Sequence, residues 1–341
     1  MSKAEAEPVV SNSELPSNKS HTRDVVLDIM RVFAMALVVV SHCSFPETVH
    51  SFSGECVAIL VFLAGMSYRY SKFEWSFSNF KQYIVKRFKR LVLPVWGYLL
   101  FFIPFYYFFF LPKFPFSLSF VVKSFLLLSG GVLFVWVYRI FMIASITTPL
   151  MDRIFKGKPL WVTILVLVAV IVVNDQITAL LKSIPSETVS SFLQYLISYT
   201  VSYGIIAYLG CLAAEMNQKE KTLVGLLFLC IYLISGYFLH FTSLEAYKYP
   251  PEMYFISFGV GFSLVLYVIL DLFHFKPSNL ITWASNNAMN MYIAHILPYH
   301  ILCYFTVNPW VQFLILFFGS YLIVFSVEKA RHSITPAINR G

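Results

Sequence analysis

The chain has 341 residues, 58% of them hydrophobic and only 12% charged, with a mean hydropathy of +0.72. A soluble domain carries about twice that share of charge, and 35 Phe with 21 Tyr exceed what a soluble core of this size can cover, so a soluble globular fold is excluded. The net charge of +8 does not indicate nucleic acid either, because the basic residues flank apolar segments instead of forming one soluble basic face.

Residues 1–24 are polar and lack the basic and apolar regions of a cleavable signal peptide. They are read as a disordered cytoplasmic tail. A spanning helix needs about 20 apolar residues, and such segments are predicted at 25–45, 55–70, 91–111, 132–150, 159–174, 194–213, 222–241, 253–272, 283–304 and 309–327. The apolar stretch 115–129 is too short to span comfortably and is expected at the outer interface, and 175–193 is expected as an outer loop with at most a short helix. The predicted class is therefore an all-α membrane protein, a bundle of about ten transmembrane helices over 25–328, with 329–341 as a cytoplasmic tail.

Lys and Arg set the orientation. Arg69, Lys72, Lys81, Lys86, Arg87, Lys89 and Arg90 follow the second segment, and with ten spans the same side receives Arg153, Lys156, Lys158, Lys219, Lys221, Lys276, Lys329, Arg331 and Arg340. The other side receives only Lys113, Lys123, Lys182 and Lys248, so both termini are expected inside. The five cysteines show no CxxC spacing and read as small apolar residues, although Cys43 and Cys56 flank the first outer hairpin and leave a disulfide open. No metal site is expected.

Ionisable groups within a span are costly and mark function. Asp28 and Arg31 lie three residues apart on one helix face and can pair. His42 follows Arg31 by eleven residues, about three turns, which places it on nearly the same face roughly 16 Å further along. A snorkelling arginine and an interfacial histidine are the bland alternatives. Against them stands the suitability of imidazole as proton acceptor for an attacking hydroxyl. Arg139, three residues after Trp136, either serves a substrate or ion-pair role or snorkels outward. Asn286, Asn287, Asn290 and His295 make the ninth segment polar, suiting either interhelical hydrogen bonds or a cavity wall. Glu47, His50 and Glu55 in the outer hairpin either meet an acceptor or are solvated.

Several stretches together resemble the membrane-bound acyltransferase 3 family. The Asp28, Arg31 and His42 arrangement is similar to its first span. Val61-Phe62-Leu63-Ala64-Gly65-Met66-Ser67 resembles its Phe-x-x-Ser-Gly stretch, with Ala64 where serine is usual. Arg87 and Arg90, ahead of Leu91 and Pro94, resemble its Arg-x-x-Arg-Leu segment, and Val135-Trp136-Val137-Tyr138 is a looser match to the aromatic start of its fourth helix. Ala288-Met289-Asn290-Met291-Tyr292-Ile293-Ala294-His295 resembles its Ser-x-x-Ile-Tyr-Leu-x-His pattern, with Ser285 earlier than the pattern expects.

The resemblance implies an O-acyltransferase that takes an acyl group, acetyl by expectation, from cytoplasmic acetyl-CoA and places it on a hydroxyl of a glycan or lipid-linked sugar. It carries His42 over as the catalytic residue, with Arg31 as its basic companion. Donor or substrate binding falls to Arg87, Arg90, Asp28, Trp136, Arg139, Tyr292 and His295. Acetyl-CoA is then a substrate, and no bound cofactor is expected. A bacterial cytoplasmic membrane is the expected location. Direct attack and an acyl-His intermediate both remain open, and a polysaccharide transporter or flippase is the competing reading.

Overall fold

A computed structural model describes residues 23–54, 56–110 and 117–338 of the chain. The expected tail up to residue 22, Glu55, Lys113 and Arg340 lie outside the described residues. Helices account for the described secondary structure apart from one isolated bridge between Lys248 and Pro251. In chain order they are α1 (Val25–Val40), α2 (Glu47–Ser53), α3 (Cys56–Tyr70), α4 (Phe77–Phe110), α5 (Leu118–Phe125), α6 (Trp136–Ile154), α7 (Leu160–Lys182) and α8 (Glu187–Leu196). There follow α9 (Ser198–Ala213), α10 (Gln218–Phe238), α11 (Met253–Asp271), α12 (Asn279–Asn286), α13 (Ala288–Ala294), α14 (Ile296–Leu302) and α15 (Pro309–Ile338). Among them α4, α7, α8 with α9, α10, α11 and α15 give six segments long and apolar enough to cross a bilayer, and α3 is a shorter apolar helix.

Local chemistry explains where these helices begin and end. Asp24 caps α1 by accepting the Leu27 amide at 3.0 Å, and Asn217 and Glu220 form a reciprocal capping box on α10. Asp24 and Arg23, which the sequence places in the tail, are thus part of the folded body. Helix α1 stops at Val40, five residues before its predicted end, because its last turn tightens. The His42 and Cys43 amides reach back only three residues, to the carbonyls of Val39 and Val40, while the Ser41 hydroxyl occupies the Val38 carbonyl.

Three further boundaries depart from the sequence reading. The basic segment holding Arg87 and Arg90 is not a loop but the first turns of α4, which runs unbroken through Pro94 and Pro104. Helix α7 continues to Lys182, through half of the predicted 175–193 loop. The predicted 283–304 span is divided into α12, α13 and α14. At the first break the Asn287 side-chain amide donates to the Trp283 carbonyl already used by its own backbone. At the second, Pro298 offers no N–H to Ala294, four residues back. The 115–129 stretch does not span, forming only the short α5.

The core lies around α9, the most enclosed of the six spanning segments, which packs on α3, α6 and α7. Two glycines permit the α3–α9 contact. A Cβ on Gly65 would sit 1.7 Å from the Ala207 carbonyl oxygen, and one on Gly210 would sit 1.9 Å from that of Phe62. Backbone thus meets backbone on both helices, as small residues allow between membrane helices. Leu165, Val173, Leu226, Ile234, Phe318 and Leu322 on α7, α10 and α15 are exposed, forming an apolar perimeter suited to lipid.

Helix α15 runs alongside α1 in the opposite sense. Gln312 near its start accepts the Ser44 amide at 2.8 Å, and Glu328, two-thirds of the way along, accepts the Trp283 indole at 2.8 Å. Arg23 reaches Asn286 on α12 at 2.8 Å. Both described ends of the chain therefore lie at the same end of the bundle.

Candidate active site

Two cavities open at opposite ends of α1. The larger, about 810 Å³, gathers the first turns of α1 and the last turn of α3. The basic turns of α4, the middle of α6, the end of α11, helix α12 and the start of α13 complete it. The smaller, about 390 Å³, gathers the end of α1, helix α2, the start of α3 and α6, and the loop before α11.

Asp28, Arg31, Arg87 and Arg90 all line the larger cavity, so stretches far apart in the sequence converge there. Asp28 is buried (2% exposed) and would be costly to hold charged without partners. It has four hydrogen bonds: Arg23 contributes Nε and, at 2.9 Å, Nη2; Arg31 Nη1 donates at 3.1 Å; and the Ser285 hydroxyl donates at 2.6 Å. Arg31 is fixed on two more sides, with Nη1 3.0 Å from Ser285 Oγ and Nη2 2.6 Å from Ser67 Oγ. Outside the membrane-spanning part, Arg23 is held above its ordinary range by its hydrogen bond to Asp28.

Neither Arg87 nor Arg90 forms an ion pair with a carboxylate among the described residues. The Arg87 guanidinium lies 5.0 Å from the Tyr83 ring centroid. One buried carboxylate thus sits between Arg23 and Arg31 while two more guanidiniums face the same space. Asp24 and Asp271 also line the cavity, but Asp24 accepts the Leu27 amide and the Tyr70 and Tyr267 hydroxyls, and Asp271 accepts from Gln218, so the Arg87 and Arg90 forks are the groups placed to match phosphate oxygens.

His42, Trp136 and Tyr292 line the smaller cavity with Glu47, His50 and Lys248. Its polar character is only partly legible in the sequence: Glu47 and His50 stand in the outer hairpin as possible acceptor contacts, whereas Lys248 and Glu245 carry no motif. Lys248 is buried and lies 3.2 Å from Glu245, with its ammonium 5.0 Å from the Tyr249 ring. Burial pushes the Tyr249 phenol up to about 12, against the pull of Lys248, so it stays a neutral hydrogen-bonding group. Trp136 meets the same Tyr249 edge to face at 5.1 Å.

The His42 ring is surrounded by other rings. Phe134 is nearest, with centroids 3.8 Å apart, followed by His295 at 5.3 Å, nearly parallel, and Tyr299 at 5.6 Å. His295 is fully buried. Neither of its nitrogens makes a hydrogen bond of good geometry among the described residues. Sequence reasoning misses Phe134, whose neighbours give no signal for it. Its backbone is left-handed, φ +72°, a conformation that costs a bulky residue about 1–3 kcal/mol.

Arg31 and His42 therefore face the interior but line separate cavities. Helix α13 is part of the wall between them: Ala288 and Met289 line the larger, and Tyr292, one turn on, lines the smaller. Tyr138 and Tyr292 tie this wall to α6 and its lead-in. The Tyr138 hydroxyl donates to the Met289 carbonyl at 2.5 Å, and that of Tyr292 to the Phe134 carbonyl at 3.3 Å.

Arg139 lines neither cavity. Although one turn from Trp136, it turns toward α8 and α9, with its guanidinium 4.1 Å from the Tyr195 ring and 5.9 Å from Tyr199, so its neighbours are aromatic rings. Cys43 and Cys56 are both buried thiols, with no disulfide between them. Among the described residues no group of three or more His, Cys, Asp or Glu side chains is placed to hold a metal ion.

Searches of curated proteins and of solved structures return no match. A family model described as an acyltransferase domain matches residues 24–329, nearly all of the chain, including every lining residue of the smaller cavity and all of the larger one's except Arg23. Together with the apolar spanning helices, this match makes the chain a membrane acyltransferase of the acyltransferase 3 family.

Proposed function

We propose that the protein is an O-acyltransferase that moves an acetyl group from cytoplasmic acetyl-CoA to a hydroxyl of a glycan or lipid-linked sugar on the other side of the membrane. The observation that carries this reading is the pair of cavities back to back on α13, one lined by Arg87 and Arg90, which have no acid partner among the described residues, and the other by a histidine. In this reading the bundle crosses the membrane about ten times, with both termini cytoplasmic. Two features support it: both described chain ends lie at the Arg31 end, and Arg69, Lys72, Arg87, Arg90 and Arg153 gather there. A bacterial inner membrane fits the same assignment.

Arg87 and Arg90 take the nucleotide phosphates of the donor, with Arg31, braced by Asp28, Ser67 and Ser285, presenting positive charge further in. The thioester arm then passes α13 to reach His42, about 16 Å along the helix axis from Arg31. The acceptor enters the smaller cavity, where Trp136 and Tyr249 offer aromatic surface to a sugar face and Glu47, His50 and Lys248 offer polar partners. His42 takes the proton of the acceptor hydroxyl as its oxygen attacks the thioester carbonyl. The carbon–sulfur bond breaks, and the imidazolium returns the proton to the departing thiolate, leaving an ester and free coenzyme A.

Purified protein given labelled acetyl-CoA and candidate glycans tests this. Label should move to the glycan, and His42→Ala should lower the rate at least about a hundredfold, the usual contribution of a general base, without lowering membrane content. Acceptor movement across the membrane without label incorporation would instead support a transporter.

A further inference from the structure

We infer that Phe134 is a positioning residue whose strained backbone presses its ring on His42 and fixes the direction of the imidazole; the inference rests on the proposed role of His42. Two independent features of Phe134 point to it. The first is conformational: φ of +72° is sterically unfavourable for a phenylalanine, and glycine would fill the position without strain. Gly130 and Gly131 lie only a few residues upstream, so the loop has glycine at hand but carries an aromatic ring here. The second is the placement of that ring, 3.8 Å from the His42 centroid and inclined 32° to it, the closest ring contact His42 makes among the described residues.

The surroundings hold the strained residue in place. The Phe134 carbonyl accepts the Val137 amide at 3.2 Å, which joins it to the first turn of α6. It also accepts the Tyr292 hydroxyl at 3.3 Å, which joins it to α13. One turn beyond Tyr292, His295 closes the other side of the cluster, its ring 5.7 Å from Phe134 and 5.3 Å from His42. His42 itself follows the end of α1, where its amide makes a tight three-residue bond to the Val39 carbonyl that fixes its backbone but not the direction of its ring. An imidazole on such a short turn can rotate about its side-chain bonds unless something packs on it. Stored strain at a site is a feature that surrounding contacts must over-determine, and here they do so from α6 and α13 together.

The test compares Phe134→Gly, Phe134→Tyr and Tyr292→Phe in the full-length purified protein. Acetyl transfer is measured alongside the rate of His42 carbethoxylation by diethyl pyrocarbonate, read at the His42 peptide by mass spectrometry. Phe134→Gly should lower kcat at least tenfold, leave KM for acetyl-CoA within twofold, and speed His42 modification several-fold. Its melting temperature should stay close to that of the parent, since relief of strain offsets lost ring contacts. Phe134→Tyr keeps the ring and should restore both readouts, and Tyr292→Phe should shift both partway. Unchanged kcat and modification rate in Phe134→Gly would overturn the inference, as would a fall in kcat with His42 modification unchanged. A fully active His42→Ala would sink the catalytic reading instead, and the modification rates would still decide whether Phe134 holds the ring.

Discussion

Asp28 and Arg31 show how a charge is kept inside an apolar helix. The carboxylate is satisfied by Arg23, Arg31 and Ser285, and Arg31 draws on Ser67 and Ser285 in turn. Hydrogen bonds to charged groups contribute about 1.5–3 kcal/mol, so Ser67→Ala should free one arm of Arg31 and raise the dissociation constant for acetyl-CoA by roughly tenfold or more. Calorimetric titration of the donor checks this, and unchanged affinity would separate Arg31 from donor binding. Arg90→Lys keeps the charge but loses the planar fork, so binding should weaken and become more salt-sensitive. The sequence exposes Asp28, Arg31 and His42 because ionisable groups stand out in an apolar helix. Ser285 is visible only as a serine placed early in one motif and Ser67 only as the last residue of another, since hydroxyls are ordinary in spans until their partners are known. Phe134 gives no signal at all: a phenylalanine among 35 is silent, and only its left-handed backbone and the ring it touches distinguish it.

At the level of elements, the α3–α9 crossing depends on Gly65 and Gly210, where any side chain would meet the facing backbone. Gly65→Ala and Gly210→Ala should each destabilise the protein by at least about 1–3 kcal/mol, the usual cost of overpacking, visible as a lower melting temperature in detergent. A Cβ added at Gly97 in α4 would meet nothing within 4 Å, so Gly97→Ala should be neutral or slightly stabilising. Equal effects at all three positions would contradict the packing account. Apolar runs are enough to locate most helices, since length and hydropathy are local properties. Their ends are less legible. The early stop of α1 depends on 3-10 hydrogen bonds and the Ser41 hydroxyl, and the division of α12 to α14 on Asn287 and Pro298, whose effects a hydropathy window averages away.

At the scale of the whole molecule, two cavities lie at opposite ends of α1 with α13 between them, and the proposed function assigns one substrate to each. The sidedness is testable by itself. In a cysteine-free background, Lys72→Cys at the Arg31 end should resist a membrane-impermeant maleimide added to intact cells and react after permeabilisation. His240→Cys, between α10 and α11 at the His42 end, should react directly. Lys72 and His240 are both exposed, and the reverse pattern would invert the orientation. This opposed arrangement is foreshadowed in the sequence only by Arg31 and His42 on one helix face. That each lines its own cavity depends on α13, whose Met289 and Tyr292 face different spaces.

The most direct measurement of transfer through the bundle uses sealed proteoliposomes with labelled acetyl-CoA confined to the Arg31 side and a glycan acceptor confined to the His42 side. Label should accumulate on the acceptor with the parent protein and fall to background with His42→Ala. Label on the acceptor at the parent rate with His42→Ala, or none unless both substrates share one side, would contradict it.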